Sequence, residues 1–169
     1  MIDDEVQVAA TTAFEALRAR KLKLVTAESC TGGLVAAAIT EIPGSSEVLE
    51  RGFVTYSNAA KQSDLDVSPE TIRKHGAVSA ETAEAMALGA LERSPADLSV
   101  AITGIAGPSG GSAEKPIGLV HFAAARRGEQ PRLHEVRFGD IGRSEIRRRS
   151  VLTALALLGE LLDPASQTL

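Results

Sequence analysis

Tryptophan is absent from this chain, and aromatic residues of any kind make up only 3% of its 169 residues. Proteins that bind single-stranded nucleic acid stack bases on aromatic side chains, and little such surface is available here. Positive charge is not in excess either: the formal net charge is −4, and the one local basic run is Arg147-Arg148-Arg149. A broad phosphate-backbone footprint needs a basic stripe, so nucleic acid is not the expected partner. Cysteine occurs once, at Cys30. An intrachain disulfide and a multi-cysteine metal site are thereby excluded, and a reduced, cytoplasmic setting is expected. No His, Asp or Glu cluster has metal-ligand spacing, so neither a metal nor a cofactor is expected. No apolar run reaches the roughly 18 residues that a membrane helix requires. The amino terminus carries Asp3, Asp4 and Glu5 rather than a basic region before an apolar stretch, so no signal peptide is expected.

What the chain does have is a large small-aliphatic content, with 44% hydrophobic residues. A chain of this length suits a single domain over residues 1–169 and buries roughly 70% of its unfolded surface. Helical spacing of Val6, Ala9, Ala10, Ala13, Phe14 and Leu17 predicts an amphipathic helix over 4–20. Strands are predicted over 22–27, 52–57, 98–103, 117–126 and 133–138. Further helices are predicted from about 32 to 41, from Asn58 as N-cap, from Ser68-Pro69 to Gly76, from Ser79 to Leu91, and from Ser144 to Leu162. Strands alternating with helices, followed by a hairpin, predict a three-layer α/β/α domain around a mixed, mostly parallel five-stranded sheet. An apolar helix face suggests a homodimer.

The most informative stretch is Leu22 to Gly33, in which an apolar strand runs into Glu28-Ser29-Cys30-Thr31-Gly32-Gly33 and a helical pattern follows. Backbone N–H groups are unpaired at such a turn, and the helix dipole favours negative charge there. A nucleophile beside oxyanion donors is one reading; a phosphate cradle is the other. Glu28 either anchors a cation or caps backbone groups. In open α/β sheets ligands bind beyond the carboxyl ends of the strands. There the first strand delivers Ser29 and Thr31, the second Tyr56, Ser57, Asn58 and Lys61, and the third Thr103, Gly104 and a glycine-rich loop to Pro116.

A serine nucleophile needs a base. His75 closes a helix and His121 and His134 fall in the hairpin, away from the expected crevice, which leaves Lys61. A lysine serves as a base when burial lowers its pKa; its bland reading is a solvated surface charge. Cys30 is either a second candidate nucleophile or, as its bland reading, a small thiol packed at a strand–helix junction. Arg143 is either a solvated charge or a bidentate clamp for phosphate or carboxylate, and Arg147 to Arg149 read as the solvated face of the last helix. The glycine-rich loop matches neither the Walker A pattern nor G-x-G-x-x-G.

Several of these stretches together resemble the CinA carboxy-terminal domain family, the nicotinamide-nucleotide amidases. They are Thr26 to Gly33, Gly44-Ser45-Ser46, Arg51 to Lys61, His75 to Ser79, Thr103 to Pro108, Gly110-Gly111-Ser112 and Lys115 to Gly118, in order and across nearly the whole chain. The chain resembles the stand-alone form of that family. The resemblance implies hydrolysis of the carboxamide of nicotinamide mononucleotide to the acid and ammonia. It implies Ser29 as nucleophile, Lys61 as its partner, and an arginine before the last helix, placed at Arg143. Family members commonly read Gly-Asp-Arg there, whereas Ile141 and Gly142 separate Asp140 from Arg143 here. In this reading Thr31, Gly32 and Gly33 supply the oxyanion donors, with Tyr56, Asn58, Thr103, Gly104 and Arg143 around the substrate. The rival reading is a non-catalytic nucleotide-binding module of the competence and damage-inducible kind.

Overall fold

The computed structural model describes residues 2–163. Met1 and residues 164–169, part of the expected domain over 1–169, lie outside the described residues. The chain order is α1 (Asp4–Ala19), β1 (Leu24–Glu28), α2 (Leu34–Thr40), a 3-10 turn (Ser45–Glu47), β2 (Leu49–Val54), α3 (Asn58–Leu65), α4 (Pro69–His75), α5 (Ala80–Glu92), β3 (Leu98–Gly104), β4 (Leu119–Arg126), β5 (Arg132–Arg137) and α6 (Arg143–Leu162). One five-stranded sheet has the order β2-β1-β3-β4-β5. β1 is parallel to β2 and β3, while β3–β4 and β4–β5 pair antiparallel. The sheet is mixed as expected. Its pairings are evenly divided, because the hairpin adds two antiparallel ladders, although four of the five strands share one direction.

Both faces of the sheet are covered, which is why β1 and β3 read as unbroken buried runs. On one face Leu24, Leu98, Val100, Ile102, Val120 and Phe122 pack with apolar residues of α1, α2 and α6. On the other, Val25, Ala27, Ala101, Ala123 and Ala125 meet Leu65, Val67 and the alanines and Met86 of α5. Small side chains replace aromatics in this core, so backbones approach closely. Gly89 in α5 is the extreme case: a Cβ there would stand 1.8 Å from the carbonyl oxygen of Leu65 at the end of α3. Gly89→Ala must push α3 away from α5. It is expected to cost about 1–3 kcal/mol of stability, read from the midpoint of denaturant unfolding.

The local signals explain most boundaries. Asp3, Ser68 and Ser79 cap α1, α4 and α5 by accepting hydrogen bonds from Val6, Thr71 and Thr82 amides. Ser57 rather than Asn58 caps α3, accepting from the Ala60 amide. β2 runs three residues earlier than the pattern suggests, because its parallel register pairs Leu24 with Leu49 and Glu28 with Val54. Thr55 still donates its amide to Glu28 O, and the chain then leaves the sheet. β4 starts at Leu119, not at 117, because Gly118 turns the chain at φ +88°. Most apolar positions of α6 from Ile146 to Leu162 are buried within the fold, against α1 and the sheet, with Leu152 partly buried and Ala156 exposed. Among the described residues no helix is long and apolar enough to cross a membrane.

Candidate active site

The carboxyl ends of the parallel neighbours β2, β1 and β3 open onto one cleft of about 290 Å³. Ser29, Cys30, Tyr56, Asn58, Lys61, Thr103, Gly104 and Arg143 all line it. Their convergence follows from topology: three parallel strands side by side end at the same edge of the sheet.

Ser29 follows β1 directly, and its amide still donates to Ile102 O, so the last sheet bond fixes where the side chain starts. Lys61 lies one turn into α3 and is only 2% exposed. Its Nζ is 3.0 Å from Ser29 Oγ and donates to Thr55 O at 2.8 Å. Burial pushes the Lys61 pKa below its ordinary value of 10.5. A neutral amine has two N–H donors and one lone pair, and a lysine buried without a carboxylate is driven toward that form. Among the described residues no carboxylate side chain lines the cleft. Cys30 is buried, and desolvation pushes its thiol up to about 12, so it is not a thiolate nucleophile.

Glu28 settles the fate of most of the turn's amides. Its buried carboxylate accepts from Gly33 N at 3.1 Å, Val35 N at 3.0 Å, Ala36 N at 3.0 Å and the Thr31 hydroxyl at 2.7 Å. Gly32 N donates to Ser29 O at 3.0 Å. The amides of Gly32 and Gly33, expected as oxyanion donors, are thus committed elsewhere, and Thr31 is fully buried with its hydroxyl occupied. The helix N-terminus carries its own anion, which also removes the phosphate-cradle reading at this turn. Cys30 lines the cleft, and among the described residues neither its amide nor that of Thr31 has a backbone acceptor.

The rest of the rim is tied together. Arg143 donates to Gly107 O at 2.8 Å and to the Tyr56 hydroxyl at 2.7 Å, bridging the glycine-rich loop to the β2–α3 loop. Arg147, expected on a solvated face, donates instead to Cys30 O and Thr31 O, both at 3.0 Å. Arg148 pairs with Asp3 and Glu5, and Arg149 with Glu145 at 2.8 Å. Sequence reasoning missed one wall, Ala77 and Val78 of the α4–α5 turn. Thr103 Oγ1 donates to Ala77 O at 2.7 Å, and Lys115 Nζ donates to His75 O at 2.5 Å and Val78 O at 2.7 Å. The only advance signal was that His75 to Ser79 and Lys115 both fell in family-like stretches. None of the three histidines lines the cleft. His75 Nδ1 faces Glu81 at 3.2 Å, and His121 is buried, with its pKa lowered by desolvation.

The family model described as CinA C-terminal domain matches residues 6–162. "Nicotinamide-nucleotide amidohydrolase PncC" of Escherichia coli (strain K12) is 50% identical over 159 residues, covering 94% of this chain and 95% of that protein. A "CinA-like protein" of Syntrophobacter fumaroxidans is 48% identical over 152 residues, 90% of this chain but 35% of that longer protein. Among solved structures, the competence/damage inducible protein CihA from Agrobacterium tumefaciens superposes with a TM-score of 0.94 at 52% identity, covering 96% of this chain and 99% of that one. A CinA superfamily protein from Klebsiella pneumoniae 700603 gives 0.88 at 39% identity, covering 93% and 97%. With the family model matching residues 6–162 and a relative 50% identical over 94% of the chain, this chain belongs to the CinA C-terminal domain family.

Proposed function

We propose that this chain is an amidohydrolase that converts nicotinamide mononucleotide to nicotinic acid mononucleotide and ammonia, with Ser29 as nucleophile and Lys61 as general base. The observation that carries the reading is the buried Lys61 amine 3.0 Å from the Ser29 hydroxyl in a cleft without carboxylates. The amidohydrolase name of a relative that is 50% identical along its length supplies the substrate class.

The steps follow from the geometry. Neutral Lys61, held by its N–H bond to Thr55 O, presents its lone pair to the Ser29 hydroxyl. Lys61 Nζ takes the hydroxyl proton as Ser29 Oγ bonds to the carboxamide carbon. The Cys30 amide, on the residue after the nucleophile, faces the oxygen that gains charge. The lysine ammonium then gives its proton to the departing nitrogen, the C–N bond breaks, and ammonia leaves an acyl ester on Ser29. Water attacks that ester, Lys61 takes a proton from it, and the carbon–Oγ bond breaks with return of the proton to Ser29. The sum is amide plus water to acid plus ammonia.

Arg143 and the adjoining glycine-rich loop are assigned the substrate phosphate. Among the described residues the guanidinium makes two hydrogen bonds, to Gly107 O and the Tyr56 hydroxyl, and Arg143 lines the cleft. Arg143→Ala is expected to raise KM for the mononucleotide about tenfold while leaving KM for the phosphate-free riboside unchanged. Incubation of the wild-type chain with the mononucleotide, reading ammonia and acid together, tests the whole proposal. Tight binding without ammonia would instead return the non-catalytic module.

A further inference from the structure

The nucleophile turn is gripped from two sides by opposite charges. Glu28 collects amides and a hydroxyl of residues 31–36, as described above. Arg147 collects carbonyls: its Nε reaches Cys30 O and its Nη2 reaches Thr31 O, each at 3.0 Å. The guanidinium is planar and offers its N–H groups in a fixed fork, so two such bonds fix two successive peptide planes. In a trans peptide the C=O and the following N–H point in opposite directions. Holding the Cys30 and Thr31 carbonyls therefore orients the Thr31 and Gly32 amides, and the latter closes the turn on Ser29 O. That closure in turn fixes the Ser29–Cys30 peptide and so the direction of the Cys30 amide.

Two further observations fit this assignment. Gly32 has φ +63°, and a Cβ there would lie 3.3 Å from Arg147 Nη2, so the guanidinium packs over a residue without a side chain. Arg147 also lies four residues after Arg143, on the same face of α6. One helix turn thus anchors the nucleophile turn with one arginine, and the glycine-rich loop and Tyr56 with the other.

We propose that Arg147 is a positioning residue for the hydrolysis: it holds the Cys30 and Thr31 carbonyls so that the turn presents the Ser29 hydroxyl and the Cys30 amide to the reacting carboxamide. It rests on the amidohydrolase reading above. It touches no substrate, so its loss acts on the chemical step and not on binding. Arg147→Gln is expected to lower kcat about 10- to 100-fold with KM within about twofold of wild type. Arg147→Lys, which keeps the charge but not the fork, is expected to fall between the two. Arg148→Gln removes a neighbouring charge on the same helix and its ion pairs to Asp3 and Glu5. It is expected to shift thermal stability and leave kcat and KM alone, with every assay run below the melting transition of the variant concerned.

Wild-type kcat in Arg147→Gln would overturn the assignment. So would equal kcat losses in the Arg147 and Arg148 variants, or failure of both Arg147 variants to fold, since each makes the residue purely structural. An inactive wild-type chain sinks the hydrolase reading and this role together, whereas an active wild type with an active Arg147→Gln sinks this role alone.

Discussion

Ser29→Ala is expected to reduce ammonia release from nicotinamide mononucleotide by at least about a thousandfold while leaving the fold and substrate binding in place. The hydroxyl has no structural task that alanine fails to meet: its neighbour within the described residues is Lys61 Nζ, which keeps its bond to Thr55 O. The turn itself is held by backbone, by Glu28 and by Arg147, none of which uses the Ser29 side chain. Residual turnover would come only from water attacking a bound, polarised amide. The decisive comparison pairs a single-turnover ammonia assay with calorimetric binding of the mononucleotide. Near wild-type turnover in the purified variant would remove Ser29 as nucleophile. Lost turnover together with lost binding would assign it to the substrate site instead.

The legibility of this site in the sequence was uneven, for physical reasons. Period-2 and continuous apolar runs mark buried strands, and capping residues mark helix starts, so the three converging loops could be placed before any coordinates. Whether Lys61 was buried could not be read, because it depends on the β2–α3 segment folding back so that Lys61 meets Ser29 and Thr55 O, which sequence spacing alone does not fix. The fate of the turn's amides was equally hidden. Glu28 was weighed as a cap, but its bonds to residues 33, 35 and 36 need the exact path of α2, and they take away the donors expected of Gly32 and Gly33. Arg147 looked like surface because three consecutive arginines on a helix point in three directions, and sequence alone does not say which direction meets protein. Arg143, two residues out of step with the common family spacing, nonetheless reaches the cleft, since Gly142 starts α6 at φ +89° and swings the first turn toward Gly107 and Tyr56.

Lys61→Met separates catalysis from stability most sharply. Methionine fills nearly the same space without a charge or a donor. Turnover is expected to fall to the level of Ser29→Ala, because the proton of Ser29 then has no acceptor. Stability is expected to hold or rise at neutral and lower pH, even though Thr55 O loses its donor. The sign follows from the direction of the shift. Burial holds the folded-state pKa of Lys61 below the ordinary 10.5 that applies when the chain unfolds. Between those two values the unfolded chain binds more protons, so the wild-type protein gains stability as pH rises through that window. Below the folded value the full penalty of a buried ammonium is present, and above 10.5 it is gone. The advantage of Lys61→Met should therefore be largest under mildly acidic conditions and shrink as the solution becomes alkaline, which thermal unfolding at the two ends would read. The same titration governs the chemistry with the opposite consequence. Wild-type kcat/KM should climb with pH along a limb lying below 10.5, as Lys61 loses its proton and becomes a base. An acid limb that persisted in the residual activity of Lys61→Met would mean that another group takes the proton, and a variant less stable in acid than wild type would mean that burial does not penalise the Lys61 ammonium.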